Sequence, residues 1–273
     1  MKIGLFTSGY QRNPLEHAFE DAKRFGYDYV ELWGGRPHGF APDLKAGDLD
    51  VVKRLIQRYE MPVRGYTPEH NAYPYNFMLG SESMRVDCVS YLKTCMDMGK
   101  ALGAEFTMIS PAHGGYYTTH EEMWGRLVRT VQELADYADH LQHTLIVEAL
   151  TPFETNVIKS PQELSRLMKE VETPYLAAMC DVVPPSVQGE SIMPYFSLLG
   201  EKMRHLHLVD ARPGEDTHYV PGDGILPLKE LLAEIKTTGY EGTATIELVT
   251  NYIQEPRLHA RRAVENLRRL MEE

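Results

Sequence analysis

The sequence predicts a single (β/α)₈ barrel, or TIM barrel, spanning residues 1–273, and three observations favour this fold. The length of 273 residues is close to the ~250 residues typical of one such barrel. Short apolar runs alternate with segments that carry helix start and stop signals, as strands and helices do around a parallel sheet. A doubly wound sheet has the same alternation. The third observation favours the barrel, because four of the last runs end on metal-competent side chains, and active sites of these barrels gather at the strands' carboxyl ends.

Four strand–helix cycles are predicted in the first half of the chain. Pro14 suits the opening turn of a helix that stops at Gly26, and Asp48 is predicted to cap the next one. The predicted bounds are strand 2–7, helix 14–25, strand 29–33, helix 48–59, strand 62–67, helix 81–102, strand 106–110 and helix 120–140.

Four further cycles are predicted in the second half. The fifth strand is an uncharged β-branched and aliphatic run that ends on Glu148, which is typical of a strand buried on both faces. Ser160, Pro161 and Glu163 form a predicted cap, with a proline in the first turn and an acidic residue over the helix amino end. The predicted bounds are strand 144–148, helix 160–171, strand 177–181, helix 191–199, strand 204–209, helix 228–238, strand 243–247 and helix 255–271.

Several connections are too long, or too rich in glycine, proline and aromatic residues, to be simple turns. Segment 34–47 is predicted to be a functional loop, and segment 68–77, with its tyrosines and asparagines, is predicted to be irregular and to face the substrate. Two more loops are predicted at 111–117 and at 210–221.

Composition narrows the classes of partner. The chain has 28 Lys and Arg against 39 Asp and Glu, a net charge of −11, which disfavours nucleic acid and anionic membranes in the absence of a basic patch. The sequence shows neither an 18-residue apolar stretch nor a charged-then-apolar leader, so we expect a soluble, cytoplasmic protein. Cys88 and Cys95 lie seven positions apart on one predicted helix, about 10 Å at 1.5 Å per residue, which is beyond disulfide reach, and Cys180 is predicted to face away from the barrel interior.

A metal site is predicted where strands five to eight end. One strand-terminal Glu taken alone is most simply a solvated residue, but here four successive runs end on such groups. Alternation along a strand places Ile146 with Glu148, His205 with His207, and Thr245 with Glu247 on shared faces. In a closed barrel that face points inward. The predicted ligands of one divalent cation are therefore Glu148, Asp181, His207 and Glu247.

Three carboxylates and one imidazole form a hard, oxygen-rich ligand set, for which Mn²⁺ is the first expectation and Co²⁺, Mg²⁺ and Ni²⁺ are alternatives. Two glutamates at one metal favour proton transfer over hydrolysis, with Glu148 and Glu247 as the predicted catalytic acid and base. If they lie on opposite faces of C3 of a ketose, the result is epimerisation at C3. If a single base returns the proton to the neighbouring carbon, the result is aldose–ketose isomerisation.

Substrate-binding residues are predicted in the same loops. Glu154 is expected to bind a terminal hydroxyl of a sugar, with a solvated loop residue as the alternative interpretation. Aromatic side chains at this end of the barrel are expected to stack on the sugar or simply to pack. The candidates are Trp33, Tyr66, Tyr73, Tyr75 and Tyr116, with His38 and Trp124 as further candidates.

Additional histidines raise a second interpretation of the site. The quartet together with three further groups approximates the ligand set of the trinuclear zinc site of abasic-site endonucleases. The further groups are His70, His113 and the 216–218 triplet, which contains His218. That pattern places a histidine three positions after the strand-six aspartate, where this chain has Pro184, and the net charge also disfavours DNA. We therefore expect His113 and His218 to contact substrate, with a partial second metal as the alternative.

The chain resembles the xylose-isomerase-like sugar epimerases. The quartet identifies the superfamily, and the loop motifs carry the finer resemblance from end to end. These motifs are 33–38 (WGGRPH), 40–47 (FAPDLKAG), 65–69 (GYTPE), 73–76 (YPYN), 124–127 (WGRL), 205–207 (HLH), 216–219 (DTHY) and 247–250 (ELVT). The resemblance implies an epimerase with a divalent metal and with Glu148 and Glu247 as the acid/base pair. Ketohexose epimerases carry a sugar-binding His and Arg where this chain has Pro184 and Pro213, and Arg212 is an imperfect substitute.

The leading hypothesis is a C3 epimerase acting on an amine-linked ketose, a small-molecule sugar–amine, in a homo-oligomer. A metal-dependent isomerase or lyase of an inositol or acid sugar is a second hypothesis, distinguished by whether the C3 hydrogen exchanges while the carbonyl stays at C2. A non-catalytic sugar-binding barrel is a third, and it would bind substrate without incorporating solvent deuterium.

Overall fold

A closed barrel of parallel strands forms the centre of the computed structural model, which describes residues 1–72 and 74–272. Within these residues the strands are β1 Lys2–Phe6, β2 Tyr29–Gly34, β3 Val63–Pro68, β4 Phe106–Ile109, β5 Thr144–Val147, β6 Leu176–Asp181, β7 Met203–His207, β8 Asp210–Arg212, β9 Glu215–Tyr219 and β10 Thr243–Ile246. β8 and β9 form a separate antiparallel hairpin, and the others pair around the ring in chain order. The ring closes where β10 pairs with β1, from Lys2↔Thr243 to Leu5↔Ile246. The predicted fold class is confirmed.

Helices surround the barrel. In the described chain they are α1 Leu15–Phe25, α2 Ala41–Asp43, α3 Leu49–Tyr59, α4 Glu82–Leu102, α5 His120–Leu141, α6 Pro161–Glu170, α7 Val183–Gln188, α8 Met193–Leu199, α9 Leu228–Thr237 and α10 Pro256–Glu272. A π-helical turn, Leu44–Asp48, joins α2 to α3, and short 3₁₀ turns occur at Thr7–Tyr10, Gly200–Lys202 and Thr250–Tyr252. None of the helices in the described ranges has both the length and the apolarity needed to cross a membrane.

Local sequence signals explain several helix ends. The Ser160 hydroxyl accepts a hydrogen bond from the backbone N–H of Glu163, and Pro161 is the first residue of α6, so the predicted cap is confirmed. Thr119 and Glu122 form a reciprocal capping box at α5. Gly26, at φ +79°, ends α1 in the left-handed conformation that glycine adopts without strain.

The core has two parts. A large apolar layer lies between the strands and the helices, and a smaller cluster fills the barrel interior. The interior cluster consists of Phe106, Met108, Ile146, Ala177 and Met179. Ile146 lies two residues before Glu148 on the same strand face. The apolar cluster therefore lies directly on the amino-terminal side of Glu148 within the barrel.

Three predictions of irregular structure are wrong. Segment 34–47 contains α2 and the start of the π-helical turn, so the chain is already helical when it reaches Asp48, whose side chain makes no capping hydrogen bond. Segment 210–221 contains the β8–β9 hairpin, and α7 follows β6 where only a connection was predicted. The remaining element bounds differ from the predicted ones by at most two residues.

The cysteine predictions are confirmed. Cys88, Cys95 and Cys180 are all buried and free. Burial raises the pKa of the Cys88 thiol to about 12, so these side chains behave as small apolar groups of the core.

Candidate metal centre

Four strand ends bring the predicted quartet together. Asp181 and His207 are the last residues of β6 and β7 and pair directly in the sheet, while Glu148 and Glu247 directly follow β5 and β10. Each residue offers one ligand atom, and these atoms all lie within 4.8 Å of one another. The alternation of side chains along the strands and the register of the sheet thus bring the four side chains together. Their role as metal ligands stays a prediction.

The donor set fits a divalent cation. The Nδ1 atom of His207 is buried and forms no hydrogen bond within the described chain, although it lies 2.6 Å from Glu247 Oε2 and 3.5 Å from Glu148 Oε1. An unpartnered buried nitrogen is costly unless it binds another group. A nitrogen facing carboxylate oxygens at these distances is what a mixed oxygen–imidazole metal site requires.

The two glutamates have opposite electrostatic environments in the metal-free protein. Burial raises the pKa of Glu148 to about 8, because it outweighs the lowering effect of His207, and Asp181 and Glu247 add smaller increases. Burial also raises the pKa of Glu247, but His207 and His218 outweigh it and hold that pKa well below its usual range. Two neighbouring carboxyl groups whose pKa values are shifted in opposite directions are suited to act as acid and base.

His218 is the predicted substrate residue that lies nearest the quartet. It is on β9 of the hairpin, and its Nε2 lies 2.9 Å from Asp181 Oδ2 and 3.4 Å from Glu247 Oε2. Although burial lowers its pKa, Asp181 and Glu247 raise it more, so the net shift is well above the usual value. The hairpin thus supplies a cationic hydrogen-bond donor at the edge of the carboxylates.

Glu154 lies in the loop after β5, in contact with the same hairpin. The Thr151 hydroxyl lies 2.9 Å from Glu154 Oε2 and 3.2 Å from Asp216 Oδ2. Glu154 is exposed, but loss of water around its carboxyl group and the nearby Asp216 raise its pKa. Its position next to the hairpin is consistent with the predicted contact to a sugar hydroxyl.

The other predicted residues lie at the end of β2 and in segments that follow the strands. Trp33 donates its indole N–H to Glu69 at 2.6 Å, and its ring packs edge-on against the buried His38. His113 Nδ1 accepts from the backbone of Gly115. Tyr116, beside His113, is 85% exposed, and Tyr75 stacks on Tyr91, while Tyr73 lies outside the described residues. Within the described ranges no group of three or more clustered metal-competent side chains includes His70 or His113.

Two aromatic predictions are wrong. Tyr66 is on β3 rather than in a loop, is fully buried, and donates its hydroxyl to the Gly39 carbonyl. Gly65, not Tyr66, faces the barrel interior, because a Cβ at Gly65 would meet Glu31 and Phe106. The second wrong prediction is Trp124, which lies in the helix layer.

Trp124 is buried between α5 and α6, where Arg166 lies over its ring and its indole N–H donates to Glu170 at 2.8 Å. The indole of Trp124 therefore packs between the helices and is not available to contact a sugar.

Sequence reasoning missed Glu31. This residue of β2 lies inside the barrel with no exposed surface, within hydrogen-bond distance of both His205 and His207. The signal was available, because a charged residue in the middle of an apolar strand needs a buried partner.

The fold and the site together define the class. The sequence profile of the xylose isomerase-like TIM barrels matches residues 19–270. The chain belongs to this family.

Among its curated relatives is fructoselysine 3-epimerase of Escherichia coli O157:H7, which is 51% identical over 273 residues, covering 100% of this chain and 99% of the relative. The expected resemblance to the sugar epimerases, and among them to fructoselysine 3-epimerase in particular, is thereby confirmed. The predicted isomerase class is confirmed as well, since the named relatives are epimerases.

Solved structures agree on the fold. The D-psicose 3-epimerase of Clostridium cellulolyticum H10, determined with D-tagatose, superimposes with a TM-score of 0.81 at 18% identity, covering 99% of each chain. The IOLI protein with a bound zinc atom gives a TM-score of 0.82 at 19% identity, covering 100% of this chain and 98% of the other. At these identities the similarity is one of fold.

Proposed function

We propose that the protein is a divalent-metal-dependent sugar 3-epimerase that interconverts fructoselysine and psicoselysine. The observation that carries the proposal is the meeting of Glu148, Asp181, His207 and Glu247 within 4.8 Å at the carboxyl end of the barrel. Support for the substrate comes from the 51% identity to a fructoselysine 3-epimerase along the entire chain.

The quartet would hold one cation, for which Mn²⁺ is our first expectation. When bound, a divalent cation would polarise the C2 carbonyl and increase the acidity of the C3 hydrogen. Apolar residues of the protein border the site. Phe6 stacks on the His207 ring at 5.6 Å between centroids, and the apolar interior cluster keeps water away from the amino-terminal side of the site.

Glu148 and Glu247 are suited to act on opposite faces of one carbon. In the closed barrel β6 and β7 separate β5 from β10, so the two carboxyl groups enter the site from different sides of the ring. One carboxylate removes the C3 proton to give an enediolate, and the other carboxyl group delivers a proton to the opposite face. The configuration at C3 is thereby inverted while the carbonyl remains at C2.

The hairpin and the loop after β5 would orient the sugar. His218 is expected to donate a hydrogen bond to a substrate oxygen from its position beside Asp181, and Glu154 to accept one from a hydroxyl. Trp33, near the end of β2, and His38 and His113, in segments that follow strands, are retained as substrate-binding candidates. We further expect a cytoplasmic homo-oligomer.

Proton NMR in D₂O tests the reaction directly. Fructoselysine is incubated with Mn²⁺-loaded protein, and the sugar is examined after removal of protein and metal. We expect loss of the C3 proton signal, appearance of psicoselysine deuterated at C3, and no exchange at C1. A matched Glu105→Gln variant, altered at an exposed ion pair with Arg64, should behave like the unchanged protein.

Two other outcomes would replace the proposal. Exchange at C1 with formation of an aldose would indicate an isomerase. Binding of the sugar with no exchange at any carbon would indicate a non-catalytic sugar-binding barrel.

A further inference from the structure

A second buried cluster lies in the barrel interior beside the quartet. Glu31, His205 and His207 are each at most 1% exposed. Glu31 Oε1 lies 2.6 Å from the Thr67 hydroxyl and 3.2 Å from His207 Nε2, and Glu31 Oε2 lies 3.0 Å from His205 Nε2. His207 therefore belongs to both clusters, with one ring nitrogen in each.

The hydrogen-bond chemistry of Glu31 fixes the protons of both rings. An ionised carboxylate only accepts, so Thr67, His205 and His207 must each donate to it. His205 then keeps a lone pair on Nδ1, which accepts from the Thr243 hydroxyl at 2.7 Å. When a cation is bound, His207 would likewise keep its proton on Nε2, which leaves Nδ1, facing Glu148 and Glu247, free of a proton and able to bind the cation.

The strands make room for Glu31 to act across the barrel. β1 and β10 lie between β2 and β7 in the ring, so the Glu31 side chain crosses the interior to reach the histidines. Gly65 on the neighbouring β3 permits this, because a Cβ there would lie 2.9 Å from Glu31 Cγ. Glycine at position 65 therefore leaves the space that the Glu31 side chain occupies.

We propose that Glu31 is a positioning residue for the metal centre, which holds His207 in the Nε2–H form and directs its Nδ1 to the cation. Carboxylates that bind the second nitrogen of a ligating histidine orient the ring and increase its basicity. The proposal rests on the metal centre of the proposed function but not on the identity of the sugar. Occupation of Glu31, His205 and His207 by a second metal ion is the competing interpretation, which the test includes.

The first test measures Mn²⁺ binding to metal-stripped protein by calorimetry. Glu31→Gln keeps the side-chain shape but replaces one acceptor oxygen with an N–H₂ group that opposes an existing donor. We expect its Mn²⁺ affinity to fall on the order of 10- to 100-fold. His205→Gln is the matched control, because its amide can still donate to Glu31, and it should leave the Mn²⁺ affinity essentially unchanged.

The second test reads the tautomer of His207, and its first measurement uses the wild-type protein and so does not depend on any variant folding. In Zn²⁺-loaded wild-type protein, long-range ¹H–¹⁵N spectra should show His207 protonated at Nε2 and unprotonated at Nδ1. In Glu31→Gln, that Nε2 proton should lose its downfield position, while circular dichroism of the metal-free protein shows the fold retained.

Four results would overturn the inference. These are unchanged Mn²⁺ affinity in Glu31→Gln, an equal loss in His205→Gln, an unprotonated His207 Nε2 in the wild type, and two metal ions per wild-type chain that become one in Glu31→Gln. If the wild-type protein binds metal as expected but exchanges no hydrogen of fructoselysine, the proposed function fails while the role of Glu31 stands.

Discussion

Replacing Glu148 by Gln should flatten the pH dependence of stability in the metal-free protein. Burial raises the pKa of Glu148 from 4.5 to about 8, so the folded protein keeps this group protonated where the unfolded chain has lost the proton. Folding then becomes less favourable as pH rises, because ionisation of the unfolded chain competes with it. Gln resembles the protonated carboxyl group and does not titrate.

The magnitude follows from the size of the shift. A group whose folded pKa is raised contributes stability that is fully present below pH 4.5 and is lost as pH rises to about 8. Within this window one proton changes the free energy of unfolding by about 1.4 kcal/mol per pH unit. Between pH 5.5 and 7.5 the wild-type protein should therefore lose roughly 2.7 kcal/mol more than Glu148→Gln.

Urea unfolding in EDTA at the two pH values, followed by circular dichroism, measures this difference. Because His207 lies beside Glu148 and its protonation responds to the substitution, the difference between the two proteins reports these two groups together. Equal pH dependence in the two proteins would refute the assigned environment of Glu148. So would a steeper loss of stability in the variant.

Three further predictions concern the metal, the substrate class and the fold. EDTA should stop epimerisation and leave the far-ultraviolet circular dichroism unchanged, since the barrel core does not include the quartet, and added Mn²⁺ should restore turnover at one ion per chain. An abasic DNA duplex should not be nicked at rates comparable to sugar turnover in a gel assay, because Pro184 replaces an expected ligand and the net charge is −11. Asp21→Asn should lower the free energy of unfolding by about 2 kcal/mol, because the fully buried Asp21 accepts hydrogen bonds from Tyr10 and Arg257, and it should leave Mn²⁺ affinity unchanged. The control variant Glu105→Gln, in the ion pair with Arg64, should change neither quantity.

The positions of the quartet were predictable because they depend on two short-range regularities. Side chains alternate along a strand, and parallel strands end at one edge of the barrel. Asp181 and His207 illustrate this, since each ends an apolar run and the two pair in the sheet. Neither regularity requires knowledge of distant contacts.

The errors arose where one position or one distant contact decides the outcome. Tyr66 was expected to contact the sugar from a loop, but it lies on β3, where its neighbour Gly65 faces inward and successive side chains point to opposite faces. His218 reaches Asp181 only because the β8–β9 hairpin folds back over the barrel, and no local periodicity indicated that hairpin. Glu31 was visible as a charge in an apolar strand, but its two histidine partners lie more than 170 positions away along the chain.

The central claim is that Glu148 and Glu247 act as two bases on opposite faces of C3, and deuterium exchange in two variants tests it most directly. Glu148→Gln and Glu247→Gln are each loaded with Mn²⁺ and incubated in D₂O with fructoselysine or with psicoselysine. Net epimerisation should fall on the order of 10²- to 10⁴-fold in both variants. Each variant should still exchange the C3 hydrogen of one epimer only, and the two variants should exchange different epimers. Full epimerisation by either variant, or exchange of the same epimer by both, would contradict the two-base mechanism and favour a single-base isomerase.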